Sequence, residues 1–586
     1  MQKRLKRSEP IGAKRTTIYA GRRHEHLHSA VSFANWGILW SMDEYTQLPQ
    51  IEVRDIDHLG IVAGIIDEVS LVEEIDRLLG THPREHLSSG RAVKAMILNG
   101  LGFVSAPLYL FKEFFVGKAT QHLVGPGIEP EHLNDDRLGR VLDKLFEANL
   151  TKVFLAVATK AAERFGVSTR SLHLDASSFH LHGEYRANND GEQEGEEAAI
   201  RITHGYSRDH RPDLKQFVVD LMTSSDGAIP LFFRVADGNE ADQASFAKLL
   251  KTFKARLDLE ALFVADSALY GAEHLPALSR LRWLCRVPRT LKEAKRVLEE
   301  IPKEAFSPST VEGYYLAEVS SEYGEVKQRW VVVESEALKK AQDERLEKRL
   351  DRLDRETQKE LTKKLRRATF DCAADARKAA EAFANRLKYH RLIELEIVPE
   401  AEYEKPGRPA KGAEPRAISY RIEAELARDE AKIAAARKRA GRFILATNVL
   451  NHEELSNEAL LAEYKGQNQV ERGFRFLKDP LFFTSSVFVK TPKRVAAIAM
   501  VMGLCLLVYA LGERSLRRAL AQAGASIRHQ TGRPTDRPTL RWVFQLFQAV
   551  HLLSVGDTKQ IANLTEERRY ILNFLDRSCQ QYYLLC

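Results

Sequence analysis

The feature that most constrains the fold is a series of short apolar segments that begins at residue 171. Five segments have the length and the apolar or alternating pattern of β-strands: 171–179, 216–223, 229–235, 261–266 and 283–287. Helical periodicity at 243–257 and 272–281 separates the later strands. Three neighbouring strands followed by alternating helices and strands predict an α/β fold with a mixed sheet.

The chain is long enough to contain several domains, because 586 residues exceed what one hydrophobic core usually holds. Residues 56–148 have helical periodicity, and residues 290–440 form a charged interruption before a strand resumes at 442–448. The predicted domains are a basic leader at 1–41, a helical region at 42–165, a first core part at 166–290, an α/β insertion at 291–440, a second core part at 441–525 and a helical tail at 526–586.

The composition excludes several classes of protein. Hydrophobic residues make up 44% and charged residues 29% of the chain, which excludes wholesale disorder. The net charge of +7 is compatible with a polyanionic partner but does not require one. The five cysteines form no Cys-x2-Cys pair, so they predict neither a zinc site nor a disulfide framework. This cysteine usage favours a reducing, cytoplasmic location.

Two segments could be mistaken for targeting or membrane sequences. Residues 1–41 hold eight Lys and Arg against two Glu, so they are either a basic DNA-binding arm or a leader outside the native protein, which would then begin at Met42. We favour the leader, because ordered-looking sequence follows Met42 directly. Residues 495–512 carry no charge, but they are rich in Ala, Gly and Met and an Arg-rich helix follows. We therefore expect a buried core helix and no contact with a membrane.

Three acidic residues stand where a catalytic site is expected. Asp175 and Asp266 lie near the ends of two predicted strands, and Glu471 lies in a later helical segment. Acids at strand ends of an open α/β sheet face the crevice where ligands bind. Carboxylate oxygens suit Mg²⁺ or Mn²⁺, and three carboxylates can hold two ions roughly 3.5–4 Å apart for in-line phosphoryl transfer. The alternative is that each Asp caps a helix or closes a turn.

The segment around Glu471 predicts one helix at about 453–479 with a polar stripe. At 100° per residue, five side chains fall within a stripe about 80° wide: Tyr464, Gln467, Glu471, Arg475 and Lys478. A carboxylate among phosphate-binding donors favours a metal-dependent phosphate site. The alternative is a solvated face on which Glu471 forms an ordinary ion pair.

These residues together resemble the DDE transposases of bacterial insertion sequences, in the group with the signature Tyr-x2-Arg-x3-Glu-x6-Lys. Tyr464, Glu471 and Lys478 match this spacing, whereas Gln467 stands at the Arg position. Arg475, on the same stripe, could take over its phosphate contact. The segments 204–216 and 264–271 also resemble this group.

The resemblance implies an RNase H-like catalytic core that is split by an insertion and preceded by a helical DNA-binding region. It implies that Asp175, Asp266 and Glu471 bind two Mg²⁺ or Mn²⁺ ions, that double-stranded DNA is cleaved at inverted-repeat ends and that the freed 3′-OH is joined to target DNA. A homodimer in a synaptic complex and a location at the bacterial nucleoid follow from that task. The alternatives are a metal-dependent nuclease that does not join strands and a DNA-binding protein without catalysis.

Other residues are candidates for DNA contacts. Arg208, His210 and Lys215 lie between the first two strands, where they would bind phosphates or belong to a solvated hairpin. Trp330 lies in a predicted strand of the insertion; a Trp at such a place stacks on a flipped base in related transposases, and the alternative is a packed Trp. The loop 405–411 is either a minor-groove hook or a linker.

Overall fold

The computed structural model describes residues 51–183, 185, 199–207, 211–240, 260–402, 416–479, 489 and 491–585. Its first part is helical except for one strand. The elements are β1 Ile51–Asp55, α1 Leu59–Val69, α2 Leu71–Leu79, α3 Ser89–Leu101, α4 Phe111–Phe115, α5 Thr120–Leu123, α6 Asp135–Glu147 and α7 Leu150–Phe165. Polar caps set some of the boundaries. The Ser88 hydroxyl accepts a hydrogen bond from the Arg91 amide at the start of α3, and Asn134 does the same for Arg137 at the start of α6.

The second part supplies eight strands. These are β2 Ser171–Leu181, β3 Lys215–Ser224, β4 Pro230–Ala236, β5 Leu262–Ala265, β6 Arg282–Arg286, β7 Ser307–Pro308, β8 Tyr314–Tyr323 and β9 Val326–Ser335, with helix α8 Lys292–Glu300 between β6 and β7. The helix predicted at 272–281 is wrong, because only a 3₁₀ turn forms at Leu275–Leu278, with Pro276 at its start. The helix predicted at 243–257 lies outside the described residues.

Residues 336–440 form an arm made of helices and one hairpin. Its elements are α9 Glu336–Leu361, α10 Ala373–Ala384, β10 His390–Glu402, β11 Ala417–Arg428 and α11 Glu430–Arg439. A π-helical turn, Thr362–Arg366, continues α9. The residue pattern of 423–440 predicts a helix, but a helix forms only from Glu430. Residues 417–428 instead pair with β10 and bury the alternating residues Ile422 and Ala424.

After the arm the chain returns to the sheet with β12 Arg442–Thr447, which is followed by α12 Asn457–Gly466, α13 Asn468–Leu477 and α14 Pro492–Ala523. The single helix predicted at 453–479 is therefore two helices that meet at Gln467. The Gln467 amide donates to the Tyr464 carbonyl at 3.1 Å, and the Val470 amide donates to the Gln467 carbonyl at 3.1 Å, so the backbone tightens there.

Nine strands form one mixed sheet in the order β4-β3-β2-β5-β6-β12-β9-β8-β7. β5 lies parallel to both β2 and β6, and the other pairs are antiparallel. The predicted α/β fold with a mixed sheet is thus confirmed. The strand pair β8–β9, which was predicted to belong to the insertion, instead extends this sheet through β12. The arm that stands apart from the sheet is accordingly shorter than the predicted insertion.

The C-terminal residues pack back on the first part of the chain. Their elements are β13 Ile527–Arg528, β14 Pro534–Thr535, α15 Leu540–Leu546, β15 His551–Val555, β16 Thr558–Ala562, α16 Glu566–Leu572 and α17 Arg577–Leu584. β15 pairs with β1 in a three-stranded sheet, and α17 packs on α1. The prediction of a purely helical tail is therefore wrong. The tail contains a hairpin that completes a sheet with a strand about 500 residues earlier.

Helix α14 is long and apolar enough to cross a membrane, but 94% of its most apolar window of 18 residues is buried inside the protein. It packs against α1, α3, α6, α7 and β4. The interpretation of 495–512 as a buried core helix agrees with this packing.

Candidate active site

Asp175 and Asp266 occupy neighbouring positions on two parallel strands. The register pairs Leu174 of β2 with Ala265 of β5, and each aspartate is the next residue in its strand direction. Asp266 keeps an extended backbone, with φ −74° and ψ −169°. Because adjacent strands lie about 4.8 Å apart, the two aspartates occupy neighbouring backbone positions at the end of the parallel strand pair.

Asp175 lies where the parallel partner of its strand stops. Asp175 was predicted near the end of its strand, but it is the fifth residue of an 11-residue strand. β2 continues because β3 pairs with it as far as Leu181, whereas its parallel partner β5 ends at Ala265. The carboxylate of Asp175 therefore lies at the end of the parallel part of the sheet, although not at the end of β2.

Both aspartates also bind backbone amides. Asp175 Oδ1 accepts a hydrogen bond of 2.8 Å from the Ala176 amide, and Asp266 Oδ1 accepts one of 2.8 Å from the Ala268 amide. Asp266 thereby caps the 3₁₀ turn Ser267–Leu269, as the capping interpretation predicted. A cap fixes one carboxylate oxygen and leaves the other for a further ligand.

Helices α12 and α13 cover the face of the sheet that carries the two aspartates. Near the start of α13, the Gln467 side chain bonds to His173 and to the Leu174 carbonyl. At its end, Lys478 Nζ lies 5.4 Å from the centre of the Phe179 ring. These contacts fix α13 along β2. Gln467 and Lys478 are about 16 Å apart along the helix axis, and their partners His173 and Phe179 are about 20 Å apart along the strand. Glu471 lies one turn after Gln467 on this helix.

Two glycines allow this close packing. A Cβ at Gly466 would lie 2.9 Å from Cε1 of His173, and one at Gly473 would lie 3.0 Å from Cδ2 of Leu221. Leu221 is the cross-strand partner of Asp175. The glycines, which weaken a helix prediction, thus let the helices approach β2 and β3 directly.

Glu471 is exposed on α13, and no described residue forms an ion pair or hydrogen bond with its side chain. The ion-pair interpretation of Glu471 finds no partner in the described part of the chain. In the described ranges, no three acidic, His or Cys side chains stand close enough together to hold a metal ion. The donor set of three carboxylates nevertheless has the chemistry that Mg²⁺ and Mn²⁺ require.

Tyr464 lies beside Asp266 and Arg286. Burial raises the pKa of the Tyr464 phenol, the Arg286 guanidinium opposes that rise, and the charge of Asp266 adds to it. Arg286 follows Cys285, the register partner of Ala265, so it is the β6 neighbour of Asp266. Arg286 was not among the residues predicted for the site; its sequence signal is an Arg that ends a short apolar segment.

Gln467 is buried, with 9% of its surface exposed. Its Nε2 donates to the Leu174 carbonyl at 2.9 Å, and its Oε1 lies 3.2 Å from His173 Nδ1. Burial lowers the pKa of His173 more than the Gln467 contact raises it, so the imidazole is neutral and donates from Nδ1. The DNA contact predicted for Gln467 remains a prediction, and its burial argues against it.

The other predicted DNA contacts are spread over the molecule. Arg475 is exposed on α13, on the same helix as Glu471. Lys215 pairs with Leu181 at the far end of β2, about 20 Å along the strand from Asp175, and its Nζ donates to the Tyr185 carbonyl. Arg208, His210 and the loop 405–411 lie outside the described residues.

Trp330 is 1% exposed in the middle of the sheet. Its Nε1 donates to the Tyr270 hydroxyl at 3.0 Å and approaches Gln328 Oε1 at 3.2 Å. A ring enclosed on all sides cannot stack on a flipped base, so the base-stacking role is wrong for this conformation. Trp330 is a packed core residue, which was the alternative interpretation.

The sequence was compared with protein-family models and with curated proteins. The model described as "Transposase DDE domain" matches residues 169–508. A model described as "Domain of unknown function (DUF4277)" matches residues 51–159. No curated protein matches the chain.

Among solved structures, the chain is similar to one in the cryo-EM structure of the piggyBac transposase synaptic complex with hairpin DNA. The sequence identity is 8%, and the TM-score is 0.34. The alignment covers 90% of this chain and 88% of that chain.

Proposed function

This chain belongs to the transposase DDE domain family, whose model covers residues 169–508, and we propose that it acts on the ends of its own insertion sequence. It is a transposase, an enzyme of the polynucleotidyl transferase or nuclease kind. In our proposal it binds the terminal inverted repeats, cleaves the DNA there and joins the freed 3′-OH to target DNA.

The observation that carries this proposal is the arrangement of Asp175, Asp266 and Glu471. The two aspartates are neighbours on parallel strands, and the helix with Glu471 is fixed across the same face by Gln467 and Lys478. Acidic side chains at the carboxyl ends of parallel strands face a crevice that can admit a substrate.

We assign Asp175, Asp266 and Glu471 as the ligands of two divalent ions, Mg²⁺ or Mn²⁺. When bound, such ions activate the attacking oxygen and stabilise the leaving oxygen of an in-line displacement. The backbone amides of Ala176 and Ala268 each hold one oxygen of their aspartate, which orients both carboxylates before substrate arrives.

Cationic and neutral donors around the acids would hold the DNA backbone. Tyr464, whose raised pKa keeps the phenol protonated, would donate to the phosphate next to the scissile bond. Arg286 stands beside Tyr464 and Asp266 and supplies the cation that the signature expects at position 467. Lys478 and the exposed Arg475 would contact phosphates further along the strand.

The strand order β4-β3-β2-β5-β6 supports an RNase H-like core, with three antiparallel strands followed by two that are parallel to β2. We propose that 166–290 and 441–525 form this core and that the helical region before it binds DNA. We further propose a homodimer in a synaptic complex with double-stranded DNA, a bacterial insertion sequence of the Tyr-x2-Arg-x3-Glu-x6-Lys group and a cytoplasmic location at the nucleoid.

The proposal is tested by incubating purified protein with Mg²⁺ and labelled DNA that carries the ends flanking its gene. Cleavage at the end and joining to a second DNA are expected. Asp175→Asn, Asp266→Asn and Glu471→Gln should each abolish cleavage and preserve end binding. Cleavage without joined product would identify a nuclease instead, and cleavage by Asp266→Asn would refute the assignment of the acids.

A further inference from the structure

A groove of about 960 Å³ lies in the arm, between α9 with its π-helical turn and the base of the β10–β11 hairpin. We call it the arm groove. Its charged lining residues are Arg355, Lys359, Lys363, Arg367, Arg428 and Asp354. Five cations against one carboxylate give the groove a strongly positive potential.

The cations are regularly spaced along one helix face. Arg355, Lys359 and Lys363 follow at intervals of four residues, which places them about 6 Å apart along the axis. The π-helical turn Thr362–Arg366 follows, and Arg367, four residues after Lys363, also lines the groove and continues this row of cations. Arg366 instead donates to the Ala424 carbonyl of β11 at 2.8 Å. π-helical turns are rare and occur frequently at functional sites.

These cations are not used in ion pairs within the arm. No described residue offers an acidic partner to Lys359, Lys363 or Arg367, and Arg355 donates only to a backbone carbonyl, that of Asp351.

Two cations of the same helix that lie outside the groove do form ion pairs. Arg352 pairs with Glu356 at 3.8 Å, and Lys364 pairs with Glu360 at 3.1 Å. Arg345 and Lys348, also outside the groove, have no ion-pair partner among the described residues, so what distinguishes the groove cations is that they line one cavity in a row.

The groove has a fixed shape. Asp354 accepts hydrogen bonds from Arg428 at 2.6 Å and from His390 at 2.6 Å, which ties the helix to both strands of the hairpin. Arg428 and His390 lower the pKa of Asp354, so it stays charged and neutralises one of the five cations. Below this contact, Leu361, Leu365 and Ile422 are buried in a separate small core. The like charges are therefore held together by the fold.

We propose that the arm groove binds the phosphate backbone of double-stranded DNA, an inference that rests on the proposed function. A row of cations that the fold holds close together without acidic partners is complementary to a polyanion. The described lining contains one apolar residue, Leu426, and no Phe, Tyr or Trp; its one ring, that of His390, is buried and bonded to Asp354. Protein partners and single-stranded DNA are typically anchored by aromatic side chains, so this lining favours a duplex backbone.

The test compares two triple variants of the full chain. The first, Lys359→Gln with Lys363→Gln and Arg367→Gln, removes cations that line the groove. The control, Lys348→Gln with Arg352→Gln and Lys364→Gln, removes the same charge from exposed positions of the same helix and its π-helical turn. Binding to a labelled duplex with the gene-flanking ends, and to a random duplex of equal length, is measured by fluorescence anisotropy over a range of salt concentrations.

For the groove variant, the slope of log K against log salt should fall by about 2 to 3 on both duplexes, because each phosphate contact contributes about 0.9. The control should change the slope by less than about 1. The single variant Lys363→Gln should lower the slope by about 1 and leave the midpoint of denaturant unfolding unchanged. If the two triple variants changed the slope equally, the proposal that the arm groove binds DNA would be overturned. If the wild-type protein bound neither duplex, the proposed function itself would fail.

Discussion

Gln467 donates a hydrogen bond of 2.9 Å to the carbonyl oxygen of Leu174, the residue directly before Asp175. The same side chain contacts His173, so one buried amide joins the helix of Glu471 to the strand of Asp175. In this chain the residue at the signature Arg position therefore packs between the helix and the strand. It links the position of Glu471 to that of Asp175.

Gln467→Ala should lower the cleavage rate more than it lowers DNA-end binding. The change removes two buried hydrogen bonds, which should cost about 1–3 kcal/mol in the free energy of unfolding. It should also let α13, and with it Glu471, move relative to Asp175. Single-turnover cleavage and end binding are measured together, with Asn468→Ala as a control at the exposed neighbouring position. Cleavage at the wild-type rate would show that Gln467 does not position the acid.

Tyr464→Phe should reduce cleavage about 10- to 150-fold and leave the fold intact. The ring packs near Phe443, with 6.0 Å between ring centres, and a Phe preserves this contact. Only the hydroxyl is lost, and a hydrogen bond to a charged group is worth about 1.5–3 kcal/mol. Tyr570→Phe, at an exposed ring, is the control. Because burial raises the pKa of Tyr464, wild-type cleavage should not decline between pH 7 and 9 through loss of this proton. Full activity of Tyr464→Phe would show that the phenol hydroxyl has no role in cleavage.

Trp330→Phe should destabilise the protein without changing how it handles DNA bases. The loss of the indole N–H leaves the buried Tyr270 hydroxyl oxygen without its donor, whereas Gln328 Oε1 still accepts from that hydroxyl, so the expected cost is about 1–3 kcal/mol. Denaturant unfolding measures this loss. A fluorescent base analogue at the DNA end should respond equally to the wild type and the variant. A response that disappears in the variant would restore the base-stacking role.

Local patterns in the sequence predicted the strands and the acidic residues, because both depend on nearby residues. The alternation in 171–179 and the apolar run before Asp266 are local signals. Contacts that depend on distant segments could not be predicted in this way. The pairing of β1 with β15 and the contact of Gln467 with Leu174 join residues that are hundreds of positions apart. Arg286 likewise reaches the site only through the register of β5 and β6.

Some errors came from local signals that disagreed. Residues 417–428 are rich in Ala, Glu and Arg, which favour helix, yet Ile422 and Ala424 alternate on the buried face of a strand. The pairing with β10 overrides the propensity. At 272–281, Pro276 limits the structure to a short turn despite a helical pattern.

His58 should make the protein less stable in mild acid. Its Nε2 lies 2.9 Å from the Leu101 carbonyl, and its Nδ1 lies 2.8 Å from Gln548 Nε2. An imidazole that donates to the carbonyl and accepts from the amide must be neutral, and burial lowers the pKa of His58 to about 4. The ordinary pKa in the unfolded chain is about 6.5, so the unfolded state binds the extra proton first as the pH falls.

The contribution of His58 is therefore complete above pH 6.5 and is lost as the pH falls toward 4. Linkage gives a loss of about 2 kcal/mol between pH 7.5 and pH 5. Denaturant unfolding at these two pH values should show that His58→Gln flattens this dependence, since a glutamine cannot be protonated there. His82→Gln, at an exposed histidine, should leave it unchanged. If both variants kept the wild-type dependence, the lost stability would have to come from other groups, and the contact between His58 and Gln548 would not require a neutral imidazole.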